Sequence, residues 1–171
     1  MEKNLKSLIL FGHKGCGKTY FGRLLSKKIN SRHVDTDLSI EDYFEKIHSN
    51  RLTCREIVLN HGEIYFRSLE NHIIATLSPP INSIISVGGG TVLNTKNQTK
   101  LLSLGVLVYL KTDDLILKKR YSQSPIPSIL DFDQVHKERT QIYEKIPSKV
   151  IETSHQDDET ILEILADLLK K

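Results

Sequence analysis

Residues 12–19 read Gly-His-Lys-Gly-Cys-Gly-Lys-Thr, which is the pattern G-x-x-x-x-G-K-T. An apolar run at residues 8–11 precedes this pattern and a stretch of helical periodicity follows it, so it lies where a strand passes into a helix. At such a junction the glycines let successive backbone N–H groups point inward around an oligophosphate. Lys18 is then placed to neutralise the outer phosphates, and the Thr19 hydroxyl to bind Mg²⁺. The pattern predicts a phosphate-binding loop; the alternative is a glycine turn that happens to contain Lys and Thr.

The length and composition are typical of one compact domain. A chain of 171 residues buries enough surface for a stable core without disulfides. The net charge is +3, with basic and acidic residues interleaved, which suits an anionic small-molecule ligand better than nucleic acid. No secretion signal begins the chain and no run approaches about 18 apolar residues, so we expect a cytoplasmic protein with no membrane partner. Cys16 and Cys54 have no metal-ligand spacing, so neither a disulfide framework nor a zinc site is predicted.

Short aliphatic runs alternate with longer segments of helical periodicity. This alternation is typical of βαβ units, and it predicts an α/β fold with five parallel strands flanked by helices. The predicted strands cover residues 8–11, 33–35, 83–87, 106–110 and 149–151. The predicted helical segments cover residues 18–29, 40–77, 96–104 and 132–145, and a last helix with Ile161, Ile164, Leu165, Leu168 and Leu169 on one face follows Asp157 or Asp158.

Polar residues and glycines that directly follow the predicted strands are candidates for a site, because ligands collect at the carboxyl ends of strands in open α/β sheets. Asp35 and Asp37 are two residues apart, and on an extended segment both would face the phosphate loop. One could reach a metal's hydration shell and the other an acceptor hydroxyl; the alternative is an N-cap and turn pair. The run from Gly88 to Gly90 lets the backbone approach a ligand closely, or forms only a tight turn.

Two arginines are further candidates. Glu63, Arg67 and Glu70 fall at i, i+4 and i+7, so they share one helix face. Either they form a surface ion-pair ladder, or Arg67 offers its planar guanidinium to a substrate carboxylate while the glutamates hold its rotamer. Arg139, with Tyr143 one turn later, belongs either to a solvated face or to an anion clamp.

The chain resembles the shikimate kinase family from residue 8 to about residue 145. The resemblance implies ATP-dependent phosphorylation of the 3-hydroxyl of shikimate, a step of chorismate and aromatic amino-acid biosynthesis. It also implies a nucleoside-monophosphate-kinase-like three-layer fold in a single domain over residues 1–171, with a substrate-binding region at about 38–70 and a lid at about 112–131. A monomer is expected, with ATP and shikimate as its small-molecule partners. The series that carries the resemblance is the phosphate loop, Asp35-Thr36-Asp37, Gly62-Glu63 with Phe66-Arg67 and Glu70, Gly88-Gly89-Gly90, and Arg139 with Tyr143.

The resemblance also implies roles for individual residues. Thr19 and Asp35 would hold Mg²⁺, Asp35 through metal-bound water. Lys18 and Asp37 would be catalytic residues, with Asp37 bound to the acceptor hydroxyls as candidate general base. Arg120 is a further catalytic and ATP-binding candidate, which the family pattern itself does not assign. The residues implied for ATP are Gly12, Lys14, Gly15, Cys16, Gly17, Lys18, Thr19 and Tyr20. Those implied for shikimate are Asp37, Arg67, Gly88, Gly89, Gly90 and Arg139, of which the two arginines would clamp its carboxylate.

The chain departs from the family pattern in the lid and in the adenine region. The family's lid usually carries an arginine followed by Pro-Leu-Leu, whereas this chain has Ile126-Pro127-Ser128-Ile129, so the nearby cations are Lys118, Lys119 and Arg120. We expect Arg120 to swing over the phosphates; the alternative is a lid that closes through apolar contacts with slower catalysis. Near the C-terminus, Thr153-Ser154-His155 lacks an arginine that could contact adenine.

A third departure is Cys16, where the family commonly has Ser. Its position beside Lys18 and a helix N-terminus favours a thiolate, so one hypothesis is ready alkylation that ATP prevents. The other is an inert, packed thiol. His13 and His61 receive no role.

Three other classes of protein are alternatives to this family. Gluconate kinases share the size and the loop, but nothing in that family explains Phe66-Arg67 with Glu70. A GTPase-like switch requires an Asn-Lys-x-Asp guanine reader, which this sequence lacks. A nucleotide-binding protein with weakened catalysis is compatible with the altered lid, although Asp37, Arg67 and Arg139 argue against it.

Overall fold

A computed structural model describes residues 6–123 and 132–170, and it contains one five-stranded sheet. All four strand pairs are parallel, and the strand order is β2-β3-β1-β4-β5. The predicted parallel α/β sheet is therefore confirmed, with each strand within two residues of its predicted bounds. The strands are β1 (Ser7–Phe11), β2 (His33–Asp35), β3 (Ile84–Ser86), β4 (Gly105–Lys111) and β5 (Lys149–Glu152).

The helices lie on both faces of this sheet. Alternate residues of β1 point to opposite faces, so Leu8 and Leu10 join one core cluster and Ile9 and Phe11 join the other. Because both faces are covered, β1 is apolar almost throughout and fully buried. The helices are α1 (Lys18–Lys28), α2 (Thr36–His48), α3 (Cys54–His61), α4 (Glu63–Thr76), α5 (Thr95–Leu104), α6 (Asp114–Ser122), α7 (Phe132–Tyr143) and α8 (Asp158–Leu168).

The predicted helical region 40–77 is helical, and it consists of three helices, α2, α3 and α4. α2 ends at Ser49, whose φ of 52° is left-handed, and α3 begins at a capping box formed by Thr53 and Glu56. Gly62, with φ of 85°, separates α3 from α4. The three helices share a core cluster of their own, so this part of the chain is a substructure beside the sheet.

Helix α6 was not predicted. Its sequence is polar on most sides, and Leu117 is its one buried residue, so it lacks the apolar stripe that marks a helix. The sequence does contain one local indication of this helix, the N-cap residue Asp113. Its side chain accepts a hydrogen bond from the Leu115 backbone N–H at 2.8 Å. The predicted lid motif at residues 126–129 lies outside the described residues.

Within residues 6–123 and 132–170, none of the helices combines the length and apolar character that a membrane span requires.

Candidate active site

A cleft of about 840 Å³ opens at the carboxyl edge of the sheet, where β1, β2 and β3 end. Of the sixteen residues predicted for the site, all but Gly12 line it. The predicted set is therefore brought together by segments from α1, α2, α4, α6 and α7 and by the turn after β3. The cleft residues predicted from the sequence are Lys14, Gly15, Cys16, Gly17, Lys18, Thr19, Tyr20, Asp35, Asp37, Arg67, Gly88, Gly89, Gly90, Arg120 and Arg139.

The phosphate loop takes a backbone path that only glycine adopts easily. Gly15 and Gly17 have φ of 87° and 98°, and a Cβ on Gly17 would lie 2.9 Å from the Phe21 ring. Gly12 lies behind the cleft, where a Cβ would come within 2.6 Å of the Leu110 carbonyl oxygen. The Lys18 ammonium donates to the carbonyls of Gly12 at 3.0 Å and His13 at 2.9 Å, so the loop's own backbone positions this charge.

Thr19 and Asp35 meet across the loop, which fits a magnesium site. The Thr19 hydroxyl donates to Asp35 Oδ2 at 2.8 Å, so two oxygen groups of the kind that Mg²⁺ prefers lie together beside the phosphate loop. Asp35 Oδ1 accepts from the Asp37 backbone N–H at 3.1 Å, which makes Asp35 the N-cap of α2. The expectation of two carboxylates on one extended segment is therefore wrong in its geometry. Asp37 reaches the cleft from the first turn of a helix.

Asp37 lies in a half-buried position with other acidic groups around it. Burial raises the pKa of this carboxyl from an ordinary 3.8 to about 6, and the charges of Asp35, Glu70 and Glu41 act in the same direction. Lys18 opposes them. A carboxyl group with a pKa near 6 is suited to accept a proton from a hydroxyl group near neutral pH.

The Arg67 guanidinium is held by glutamates on its own helix. Its Nη1 donates to Glu70 Oε2 at 2.9 Å, and its Nη2 to Glu63 Oε1 at 3.2 Å. Glu70 is only 2% exposed, and its other oxygen accepts from the Thr91 hydroxyl at 2.7 Å. A surface ion-pair ladder does not describe this arrangement, because one of its members is buried and fully paired.

The three glycines after β3 leave room for three different side chains. A Cβ on Gly88 would lie 2.7 Å from Asp37 Oδ1, and a Cβ on Gly89 would lie 3.1 Å from Arg139 Nη1. A Cβ on Gly90 would overlap the Arg67 guanidinium. The absence of side chains at these positions therefore allows a carboxylate and two arginines to converge on one backbone turn.

Helix α7 is tied to the same turn. The buried Tyr143 hydroxyl donates to the Gly89 carbonyl oxygen, and Arg139 lies one turn earlier on α7 and lines the cleft. Burial raises the pKa of Tyr143 to about 12, so its hydroxyl stays protonated and remains a donor. Arg67 and Arg139 thus reach the cleft from separate helices, α4 and α7.

The outer part of the cleft contains Arg120 and Tyr20. Arg120 Nη1 donates to the Gly15 carbonyl oxygen at 2.6 Å, which places this guanidinium directly on the phosphate loop. The half-exposed Tyr20 ring lies near the start of α8, and its hydroxyl donates to Asp158 at 2.5 Å. Thr153, from the stretch predicted to approach adenine, also lines the cleft.

The Cys16 side chain has no exposed surface and packs in the core cluster beneath the loop. Its sulfur lies 3.8 Å from Lys18 Nζ. This burial favours a packed thiol over a readily alkylated one.

Some cleft residues were missing from the sequence-based set. Glu70 shares the Arg67 helix face, a relation that their spacing already indicated, and Phe66 directly precedes Arg67 on the same helix. Cys54, at the start of α3, carries a thiol 3.3 Å from the Asp37 carbonyl oxygen, and no sequence pattern links these two residues. The others are Phe21, Ser86, Val87 and Asp158.

The raised pKa of Asp37 predicts two effects of pH. A general base at Asp37 would act only as the carboxylate, so kcat/KM is expected to fall about tenfold per pH unit below about 6. The folded chain holds this proton more tightly than the unfolded chain, so the free energy of unfolding due to Asp37 declines as the pH rises from about 4 through about 6. Initial rates and urea unfolding across this range measure the two effects. A rate that stays level down to pH about 5, or the same fall in Asp37→Asn, would contradict this assignment.

A phosphate loop that faces a carboxylate of raised pKa and two arginines in one cleft defines a P-loop kinase for a small anionic acceptor. The family model described as "Shikimate kinase" matches residues 14–169. The chain belongs to the shikimate kinase family.

Individual relatives agree with this assignment. A shikimate kinase of Clostridium botulinum (strain Okra) is 34% identical over 161 residues, which cover 90% of this chain and 91% of the relative. One from Caldicellulosiruptor saccharolyticus is 36% identical over 132 residues, covering 77% of this chain and 73% of the relative.

Solved structures show the same relationship. The shikimate kinase of Acinetobacter baumannii, in complex with shikimate, has a TM-score of 0.80 at 25% identity and covers 98% of this chain and 94% of its own. That of Aquifex aeolicus has a TM-score of 0.73 at 25% identity, with 95% of each chain covered. A sugar kinase from Janibacter matches with a TM-score of 0.54 at 15% identity, covering 96% of this chain and 94% of its own, which is a likeness of fold alone.

Proposed function

We propose that this chain transfers the γ-phosphoryl group of ATP to the 3-hydroxyl of shikimate, giving shikimate 3-phosphate and ADP. The observation that carries the proposal is the convergence of Asp37, Arg67 and Arg139 on the turn after β3, within the same cleft as the phosphate loop. Shikimate combines a carboxylate with ring hydroxyls. The cleft offers groups for both, because the arginines suit the carboxylate and Asp37 suits a hydroxyl.

The nucleotide half of the cleft would bind MgATP. In this proposal the loop N–H groups and Lys18 hold the phosphates, and Lys18 offsets charge on the transferring group. Thr19 and Asp35 would hold Mg²⁺, which would supply positive charge to offset that of the phosphates. Lys14, Gly15, Cys16 and Gly17 would contribute loop backbone, and Tyr20 would line the nucleotide's edge.

The acceptor half would hold shikimate in a fixed orientation. The two guanidinium groups would bind its carboxylate from separate helices, and the Gly89 backbone would contact the ring hydroxyls. Asp37 would accept a hydrogen bond from the reacting hydroxyl and then its proton. Because phosphoryl transfer depends more on positioning and charge than on deprotonation, orientation of the hydroxyl is the larger part of its role.

The product of the reaction tests this proposal. The purified protein, incubated with MgATP and shikimate, is expected to form a phosphomonoester whose ³¹P resonance couples to the ring proton on carbon 3. A phosphate on another ring hydroxyl would be consistent with kinase activity toward shikimate but would contradict the proposed orientation of shikimate in the cleft. Absence of any shikimate phosphate would contradict the proposed acceptor.

Arg120 is proposed as the cation that covers the phosphates from the start of the lid. Its contact with the Gly15 carbonyl supports this role, since it already lies on the loop. Arg120→Ala is expected to lower kcat about 10- to 100-fold with little change in the KM for shikimate, because Lys18 still offsets part of the charge. Lys119→Ala, one residue away and exposed, is the matched control. Equal rates for wild type and Arg120→Ala would exclude the role and favour a lid that closes through apolar contacts.

The proposal includes a single domain that acts as a monomer in the cytoplasm, with its substrate-binding region at about 38–70 and its lid at about 112–131. The single-domain part of the proposal is supported by the family match, which covers residues 14–169.

A further inference from the structure

His13 occupies the second position of the phosphate loop but lies outside the nucleotide cleft. Its side chain is 7% exposed and lies behind the loop, beside a small cavity between α6 and α7. The role of the loop in binding phosphate therefore does not account for this side chain. Its contacts are with α7, the helix that carries Arg139.

The contact with α7 is a directed hydrogen bond. His13 Nε2 lies 2.9 Å from the Thr140 hydroxyl oxygen. The Thr140 hydroxyl donates its one proton to the His136 carbonyl oxygen at 2.8 Å, so it accepts from His13 Nε2–H. Burial lowers the pKa of His13 to about 3, and the neighbouring His136, Arg139 and Lys18 act in the same direction. The ring is therefore neutral, and its Nε2–H points to α7.

Ring packing adds to this bond. The His13 ring stacks on the His136 ring with a centroid distance of 4.0 Å, and it lies 4.8 Å from the Tyr143 ring. Both partners are on α7, one on each side of Thr140. Tyr143 in turn binds the Gly89 carbonyl of the acceptor site. His13 thus contacts three residues of α7 that span two helical turns.

The backbone of the same residue contacts the catalytic side of the loop. The His13 carbonyl oxygen accepts from Lys18 Nζ at 2.9 Å. One residue therefore joins the phosphate-binding lysine, through its backbone, to the helix that carries the acceptor's arginine, through its side chain. Arg139 directly precedes Thr140, so a shift of Thr140 moves Arg139 with it.

We propose that His13 is a positioning residue that fixes α7, and with it the Arg139 guanidinium, against the phosphate loop. The expected effect of His13 on catalysis rests on the proposed function, in which Arg139 binds the acceptor. In this role His13, although it belongs to the phosphate loop, affects the binding of the acceptor rather than the binding of ATP. If His13 only packed the loop, its replacement would weaken the binding of ATP first, because the phosphate site would be disturbed before the acceptor site.

Steady-state kinetics of two variants separate these roles. His13→Leu keeps the size and the backbone but removes the bond to Thr140, whereas His13→Gln keeps an amide N–H near the position of Nε2. His13→Leu is expected to raise the KM for shikimate about threefold to tenfold, the effect of one buried hydrogen bond, and to leave the KM for ATP within about twofold. His13→Gln is expected to have a KM for shikimate close to that of wild type. A rise in the KM for ATP instead, or no difference between the Leu and Gln variants, would overturn the inference.

A double-mutant cycle tests the bond itself. Thr140→Val is expected to match His13→Leu, and the double variant is expected to be no worse than either single variant, because both remove one interaction. If the two substitutions raised the KM for shikimate independently, so that their effects multiplied in the double variant, the hydrogen bond between His13 and Thr140 would not be what fixes α7 to the loop.

Hydrogen–deuterium exchange gives a readout that does not depend on the acceptor. Backbone amides of residues 132–143 are expected to exchange faster in His13→Leu and Thr140→Val than in wild type, and at the wild-type rate in His13→Gln, while α1 amides stay unchanged. Unchanged exchange in α7 would overturn the inference even if shikimate is the acceptor. If wild type does not phosphorylate shikimate, the proposed function fails, and this experiment still decides whether His13 positions α7.

Discussion

Asp37→Asn is expected to lower kcat about 100- to 10,000-fold while the KM for ATP changes little, because the variant removes the carboxylate that faces the acceptor hydroxyl. The half-buried position of Asp37 and its pKa of about 6 support this role. Asparagine keeps the shape, so the loss reports charge and basicity rather than packing. A loss near the lower limit would assign Asp37 mainly to orienting the hydroxyl, and a loss near the upper limit would add proton transfer.

The matched control is Asp42→Asn, on the same helix but exposed and paired with Arg51 at 3.0 Å. It is expected to retain wild-type kinetics, since exposed ion pairs contribute little. Initial rates of both variants under saturating MgATP give the comparison. If the kcat of Asp37→Asn were within about fivefold of the wild-type value, the Asp37 carboxylate would not take part in the mechanism.

Arg67→Met is expected to have two separate effects. The KM for shikimate should rise about 100-fold, which corresponds to about 2.7 kcal/mol and is the size of a charge-assisted pair of hydrogen bonds. The melting temperature should also fall, because Glu70 is 2% exposed and would lose its cationic partner. Kinetics and thermal unfolding measure the two effects on the same samples.

A second substitution separates these effects. In Arg67→Met with Glu70→Gln the buried charge is neutralised, so the melting temperature should recover while the KM for shikimate stays high. Arg51→Met, at an exposed ion pair in the same group of helices, is the control and should change neither quantity. If the double variant recovered its KM together with its stability, Arg67 would act through folding alone and not on the acceptor.

Much of the fold could be predicted from the sequence because its determinants are local. Strands β1, β3 and β4 are short, largely aliphatic runs, and the phosphate loop is a contiguous pattern whose glycines have positive φ. The division of segment 40–77 was also readable, since Thr53 and Glu56 form a capping box and Gly62 breaks the helix. Helix α6 lacked an apolar stripe, and its cap at Asp113 was the one local indication.

Most residues that line the cleft could be predicted from the sequence, but the contacts by which the chain holds them could not. Thr91 binds Glu70 across 21 residues of sequence, and His13 binds Thr140 across 127. Such pairs have no spacing rule, because tertiary packing alone brings them together. Asp35 is instructive for another reason, since the N-cap role does not exclude a position beside the phosphate loop. It caps α2 through one oxygen and binds Thr19 through the other.

Acceptor-dependent ADP release is the most direct test of the central claim that this cleft phosphorylates shikimate. The purified protein is mixed with MgATP and, in separate reactions, with shikimate, gluconate, AMP or no acceptor, and Asp37→Asn with shikimate serves as the blank. We expect ADP release with shikimate alone, and little from the blank. Release that depends on gluconate or AMP would contradict the assignment of Arg67 and Arg139 to shikimate, and ATP binding without release in any reaction would contradict catalysis itself.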